Sequence, residues 1–247
     1  MHRLLVDTKL LDEESPVLPA DAARHLKVLR PKDGEAIELF DGYGSWRRYA
    51  WDSSASLLRA QSNSQTIEHS NNFLTLFACI TKGSRWDWTI EKATELGVAR
   101  IVPVISERTI VRIPKSERAA KCGRWMRIAE DAARQSDAKW LPEISEAVDF
   151  NDALPLVRET ACFIGALTNP PSPFLAAAIE DFRRETGDLK GVSTFIGPEG
   201  DFTPEELAAL MEVATPTSFG PTVLRAETAA IFAVSVIASF CHKELNT

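Results

Sequence analysis

The 247 residues contain no C-x-x-C pair, no G-x-x-x-x-G-K-[ST] loop, no G-x-G-x-x-G turn and no long apolar run. Each absence removes a class of protein. The four cysteines, Cys79, Cys122, Cys162 and Cys241, stand far apart in mostly apolar surroundings. Buried reduced thiols are expected, not a disulfide framework or a structural zinc, and no metal is expected. Without a phosphate-binding loop or a dinucleotide fingerprint, neither ATP nor NAD is indicated. No apolar run approaches the roughly 20 residues of a membrane span, and Asp7 interrupts the N-terminus too early for a signal peptide. A cytoplasmic protein with no membrane partner is expected. Positive charge is also scarce. A net charge of −7 argues at face value against a nucleic-acid partner.

What is present is more specific. Hydrophobic content of 45% and charged content of 26% are ordinary for a globular chain, and the length suits one large domain or two modest ones. Val192 to Ile196 reads as a buried strand that breaks into Gly197-Pro198-Glu199-Gly200-Asp201, which is turn chemistry. Thr203 then stands as an N-cap, with Pro204 at the first helical position and Glu205 and Glu206 in the first turn. A second loop, Phe219 to Arg225, leads into an Ala-rich helix from about Ala226 to His242. Two strand ends therefore deliver two Gly-Pro loops, each followed by a helix. In α/β proteins that is where small ligands bind.

Upstream, Phe73 to Ile80 and Val98 to Ile105 read as strands around a helix from Arg85 to Leu96, a β-α-β unit. Ala161 to Leu167 is a further strand, and Phe174 to Glu185 a helix. The alternation implies a parallel α/β sheet. Residues 1–60 read instead as short strands and turns, with a helix from Ala20 to Leu29 capped by Asp21 and a hairpin turn at Asp41-Gly42-Tyr43-Gly44. Gln61 to Asn72 is polar and aperiodic, a linker between domains.

The scarce cations are concentrated. Between Arg108 and Arg127 stand Arg108, Arg112, Lys115, Arg118, Lys121, Arg124 and Arg127 against the single Glu117. Such a run is either a solvated helical face or a phosphate-binding patch.

The pair Ile196-Gly197-Pro198-Glu199-Gly200-Asp201-Phe202-Thr203-Pro204 and Phe219-Gly220-Pro221-Thr222-Val223-Leu224-Arg225-Ala226-Glu227-Thr228 resembles the C-terminal signature of the ribosomal small-subunit methyltransferase E family. Segments 82–98 and 100–109 resemble the same family, as does the N-terminal region, so the resemblance covers nearly the whole chain. It implies an α/β fold of SPOUT type, with a deep trefoil knot, over residues 72–247. A small PUA-like β-barrel that binds RNA is implied over residues 1–68. The implied reaction is S-adenosylmethionine-dependent methylation of N3 of a uridine in 16S ribosomal RNA, on free RNA or the assembled small subunit, by a homodimer.

The implied cofactor residues are Gly165, Ala166 and Leu167, then Ile196, Gly197, Pro198, Glu199 and Gly200, and finally Phe219, Gly220, Val223 and Leu224. Arg225 is the candidate that stabilises the uridine anion, with Glu227 as base or as the partner that orients it; a plain ion pair between the two is the alternative. The RNA candidates are Arg3, Arg24, Lys27, Arg30, Lys82, Arg85, Arg108, Arg112, Arg124, Arg127 and Gln135, each weighed against simple surface solubility. The chain departs from the family at Gln135-Ser136-Asp137-Ala138, where Gln-Ser-Gly-Arg is usual, with Lys139 adjacent, and at Asp201, where glycine is common. The other readings are a non-catalytic RNA-binding factor on the same fold and a related enzyme acting on transfer RNA.

Overall fold

The computed structural model describes residues 1–68, 73–157, 161–166, 168, 170–187, 189 and 191–241. They form two compact units, Met1–His69 with Glu130–Leu141, and Ser70–Ala129 with Pro142–Thr247.

The first unit is a mixed five-stranded sheet. Its strands are β1 (His2–Leu5), β2 (Ala36–Phe40), β3 (Ser45–Asp52), β4 (Leu57–Ala60) and β5 (Gln65–Thr66). They run β1-β2-β3-β4, with β5 also on β3; β1 lies parallel to β2 and the other pairs are antiparallel. Helix α1 (Ala20–Leu29) makes the crossover from β1 to β2. Between β2 and β3 the chain reverses at Asp41, whose Oδ1 accepts from the N–H of Tyr43 and of Ser45 at 2.7 and 3.0 Å. Leu4, Leu26, Ile37, Leu39, Tyr49 and Leu58 fill the core. Two expectations are corrected. Among the described residues β4 does not pair back onto β1, so the sheet has two free ends and no closed barrel is shown. Asp21 lies in the first turn of α1 while Pro19 holds the cap position, because the helix already begins at Ala20, two residues earlier than a cap at Asp21 would allow.

Glu38 is buried in this unit and explains a third correction. Arg3 Nε donates to its Oε1 at 2.8 Å, Arg3 Nη2 donates to the Ala138 carbonyl at 2.9 Å, and the guanidinium lies 4.1 Å over the Phe40 ring. Lys139 Nζ bonds the same carboxylate and Asp137 Oδ1 and stacks on Trp46. A buried carboxylate requires such partners, and removing one costs about 3–5 kcal/mol. Arg3, a candidate RNA contact by sequence, is thus an interior ion-pair residue.

The second unit is a seven-stranded, wholly parallel sheet. Its strands are β6 (Phe73–Cys79), β7 (Arg100–Ile105), β8 (Glu143–Ile144), β9 (Val148–Asp149), β10 (Ala161–Gly165), β11 (Gly191–Ile196) and β12 (Thr215–Thr217). The order is β12-β10-β11-β6-β7-β8, with β9 also on β7. Its helices are α2 (Ser84–Glu95), α3 (Lys115–Ser136), α4 (Phe150–Ala153), α5 (Leu175–Thr186), α6 (Pro204–Met211) and α7 (Ala226–Cys241); α3 passes into the first unit at Glu130. Both sheet faces are covered, which is why β6 and β11 are buried along nearly their whole length, Thr75, Ser193 and Thr194 included. Leu74, Leu76 and Ala78 of β6 face one core with Trp86, Trp125, Ala230, Ala233 and Val234. Phe77 and Cys79 face the other, with Phe150, Phe195 and Leu210, and the Phe77 and Phe195 rings stack at 4.4 Å.

Candidate active site

Strands β11, β10 and β12 are neighbours, and all three point the same way. Their C-terminal ends therefore release three loops side by side, the position at which open parallel sheets carry ligands. Between these loops lies a cavity of about 360 Å³. That volume falls within the range of small-molecule sites.

Most of the cofactor candidates line it. Gly165 and Ala166 come from the first loop, Ile196, Gly197, Pro198 and Glu199 from the second, and Phe219, Gly220, Val223 and Leu224 from the third. Leu167 lies outside the described residues. Gly200 is a correction. It does not line the cavity; a Cβ built on it would meet the Arg108 side chain at 3.4 Å, and its carbonyl accepts from Arg108 Nη1 at 3.0 Å.

Main chain shapes the walls. A Cβ on Gly165 would fall 2.4 Å from the Phe219 ring, so only glycine lets that ring lie flat on β10. Gly220 adopts φ 134°, outside ordinary side-chain territory, with its N–H donating to Ser218 Oγ at 3.3 Å. Thr203 caps α6 as the sequence announces, and Glu206 completes a capping box with it, at 3.1 and 3.0 Å, which fixes the start of the helix. Sequence reading missed Thr217, Ser218 and Asp201, which also line the cavity. The first two follow from β12, a Thr-Pro-Thr segment whose central proline disguises a sheet-edge strand.

At the start of α7, Arg225 lines the cavity, and its exposed side chain has no hydrogen bond or ion pair among the described residues. Glu227, in the first turn, has Oε2 buried without a hydrogen-bond partner. The two do not form the ion pair that was the alternative reading. An unpartnered buried carboxylate oxygen is costly; Glu227 itself is not among the residues that line the cavity.

The RNA candidates divide by partner. Arg24 and Lys27 on α1, Arg30 just past its end, Lys82, and Arg127 on α3 are exposed and have no side-chain partner among the described residues. Gln135 is exposed on the wall of a second cavity, within the first unit, shared with His2, His25 and Arg134. The others are committed. Arg85 pairs with Glu199 at 3.3 Å, Arg124 with Asp87, and Arg112 Nη1 donates to the Ser106 carbonyl at 2.9 Å. Arg108 bonds the carbonyls of Gly200 and Phe202. Lys139, beside Ala138, is held in the Glu38 cluster. Burial pushes the Cys79 thiol up to about 11, under Ser106, to whose Oγ its Sγ donates at 3.4 Å.

Among the described residues, no cluster of three or more His, Cys, Asp and Glu could hold a metal ion, and no helix is long and apolar enough to cross a membrane.

A family model described as an RNA methyltransferase domain matches residues 68–238. The chain is 30% identical to ribosomal RNA small subunit methyltransferase E of Synechocystis sp., over 96% of this chain and 77% of that one. It is 26% identical to the Rickettsia conorii protein of the same name, over 98% of each. The crystal structure of ribosomal RNA small subunit methyltransferase E from Neisseria gonorrhoeae, bound to S-adenosylmethionine, superposes with a TM-score of 0.80 at 28% identity, covering 97% of this chain and 98% of that one.

Proposed function

The chain belongs to the ribosomal RNA small subunit methyltransferase E family, and from that premise we propose that it methylates N3 of a specific uridine in small-subunit ribosomal RNA, using S-adenosylmethionine held in the cavity at the ends of β10, β11 and β12. The observation that carries this reading is the cavity itself, walled by three loops, with Gly165 close against Phe219. S-Adenosylmethionine supplies an electrophilic methyl on a sulfonium, so the protein contributes position and electrostatics without a covalent step. The residues present fit it. Glycines and carbonyls of residues 165–166, 196–199 and 219–220 offer hydrogen bonds to a heterocycle without side chains in the way.

Uridine N3 carries a proton, so its lone pair must be freed at the moment of transfer. The Glu227 carboxylate, with one oxygen unpartnered, takes that proton in this reading. The Arg225 guanidinium, unengaged at the cavity wall, stabilises the negative charge left on the base. The target nucleotide must be unstacked to enter. Phosphates of the RNA are met by unpartnered cations, Arg24, Lys27 and Arg30 in the first unit and Lys82 and Arg127 in the second.

The same reading makes the first unit a PUA-like RNA-binding domain and the second a SPOUT domain with a trefoil knot. The strand order supports the second assignment. Strands β10, β11 and β12 are consecutive in sequence, yet β12 sits on β10, so the chain leaving β11 crosses to the far side of β10. A homodimer through α7, working in the cytoplasm, completes the proposal.

The test is transfer of labelled methyl from S-adenosylmethionine to small subunits lacking the modification, with the base mapped by mass spectrometry. Label on uridine N3 is expected. Label on another position would overturn the uridine-N3 assignment. Cofactor binding with no transfer to any RNA would point to a non-catalytic RNA-binding protein.

A further inference from the structure

We propose that Arg108, a candidate RNA contact by sequence, is a positioning residue that braces the cofactor loop; this rests on the cofactor reading above. Arg108 lies in the loop that follows β7. Its Nη1 donates to the Gly200 carbonyl at 3.0 Å and to the Phe202 carbonyl at 3.3 Å. Its aliphatic stem packs on Gly200, 3.4 and 3.6 Å from where a Cβ would stand. Between the two accepting carbonyls sits Asp201, at φ 60°, a left-handed conformation that costs a non-glycine residue about 1–2 kcal/mol. That residue turns the chain that carries Gly197, Pro198 and Glu199 along the cavity wall. A strained turn persists only where its surroundings hold it, and Arg108 holds both of its flanks.

The neighbouring residue holds the other end. The Glu107 N–H donates at 2.8 Å to Oε1 of Glu206, the carboxylate whose other oxygen accepts from Thr203 N–H at the start of α6. The bracing loop is itself rigid. Ser106 N–H donates to Thr109 Oγ1 at 3.0 Å, the two hydroxyls bond at 2.9 Å, and Arg112 binds the carbonyls of Ser106 and Glu107. One short rigid segment thus fixes the cofactor loop at two points. The guanidinium faces its own main chain, unlike the charged groups of Lys82 and Arg127, which have no protein partner among the described residues.

The experiment compares R108A and R108K with wild type, in the full chain, by calorimetric titration with S-adenosylmethionine, by transfer kinetics and by RNA binding across a salt series. For R108A the cofactor Kd and KM rise about tenfold, the effect of losing charge-assisted hydrogen bonds in part. Its kcat and its RNA affinity stay within twofold, and R108K recovers at least half of the lost cofactor affinity. A cofactor Kd within twofold of wild type, together with a lower salt slope for RNA, overturns the inference and returns Arg108 to the RNA face. If the wild-type chain takes up no cofactor, the cofactor reading itself fails, and the brace is read from amide exchange in the free protein. Faster exchange at residues 199–203 in R108A then supports it, and unchanged exchange overturns it.

Discussion

The cavity and the cation-rich stretch from Arg108 to Arg127 lie in the same unit but are made of different material. The cavity is three loops, with apolar side chains such as Ile196, Phe219 and Leu224 in its walls, and its shape is set by loop conformation: Gly165 against Phe219, Gly220 at φ 134°, Asp201 at φ 60°. The stretch is long side chains, whose meaning depends on what they reach. Arg108 and Arg112 reach backbone carbonyls, Arg118 reaches Asp149 at 2.6 Å and Arg124 reaches Asp87. Lys115, Lys121 and Arg127 have no partner among the described residues. A row of seven cations therefore offers far less free charge than its count suggests.

The strongest way to break this contrast is to give the cavity a side chain. Gly165→Val should push Phe219 off β10 and weaken S-adenosylmethionine binding about a hundredfold, at the upper end of what overpacking a fitted site costs. Titration calorimetry reads it, and RNA affinity should stay within twofold. Undiminished cofactor binding would mean that the first loop is not part of the site.

Next in size is the buried thiol beneath the bracing loop. Cys79 keeps its proton in the fold to about pH 11, while in the unfolded chain it ionises near 9. An acid whose folded value is raised contributes stability that is present at neutral pH and lost as pH climbs from about 9 towards 11. Cys79→Ala should remove that slope, worth about 2 kcal/mol by pH 11, when urea melts of the two proteins are compared across pH. Equal slopes would place the thiol in contact with water.

A smaller effect separates free from committed cations. Lys121→Gln with Arg127→Gln should lower the salt slope of RNA binding by about two and the affinity by about tenfold. Arg124→Gln should leave the slope alone, since its charge is held by Asp87. Equal slopes for both variants would erase the distinction. Smallest is Asp201→Gly, which relieves the left-handed strain but loses the bond from Phe202 N–H to Asp201 Oδ1. Its gain is at most about 1 kcal/mol, a rise of about 2–4 °C in Tm by calorimetry.

These differences also explain what was legible in the sequence. Turn and cap chemistry acts over a few residues, so the 197–206 segment, its N-cap at Thr203 and the apolar strands of the parallel sheet could be read locally. Asp137 and Asp201 adopt φ 61° and 60°, at the two positions where the resemblance leads one to expect glycine, and aspartate is among the few residues that tolerate this conformation. Arg3 could not be read, because its partners are Glu38 and the carbonyl of Ala138, far along the chain. Nor could the place of Glu130–Leu141 in the first unit, since nothing in a helix sequence marks where its packing partner changes. Thr217 and Ser218 were hidden by Pro216, which a parallel edge strand accommodates.

The most direct test of the account is amide hydrogen exchange of the RNA-free protein with and without S-adenosylmethionine. The account predicts slower exchange at residues 165–166, 196–200 and 219–226, and unchanged exchange along α1 and at Lys115–Arg127. Protection that falls on the cationic stretch and spares the three loops would contradict it.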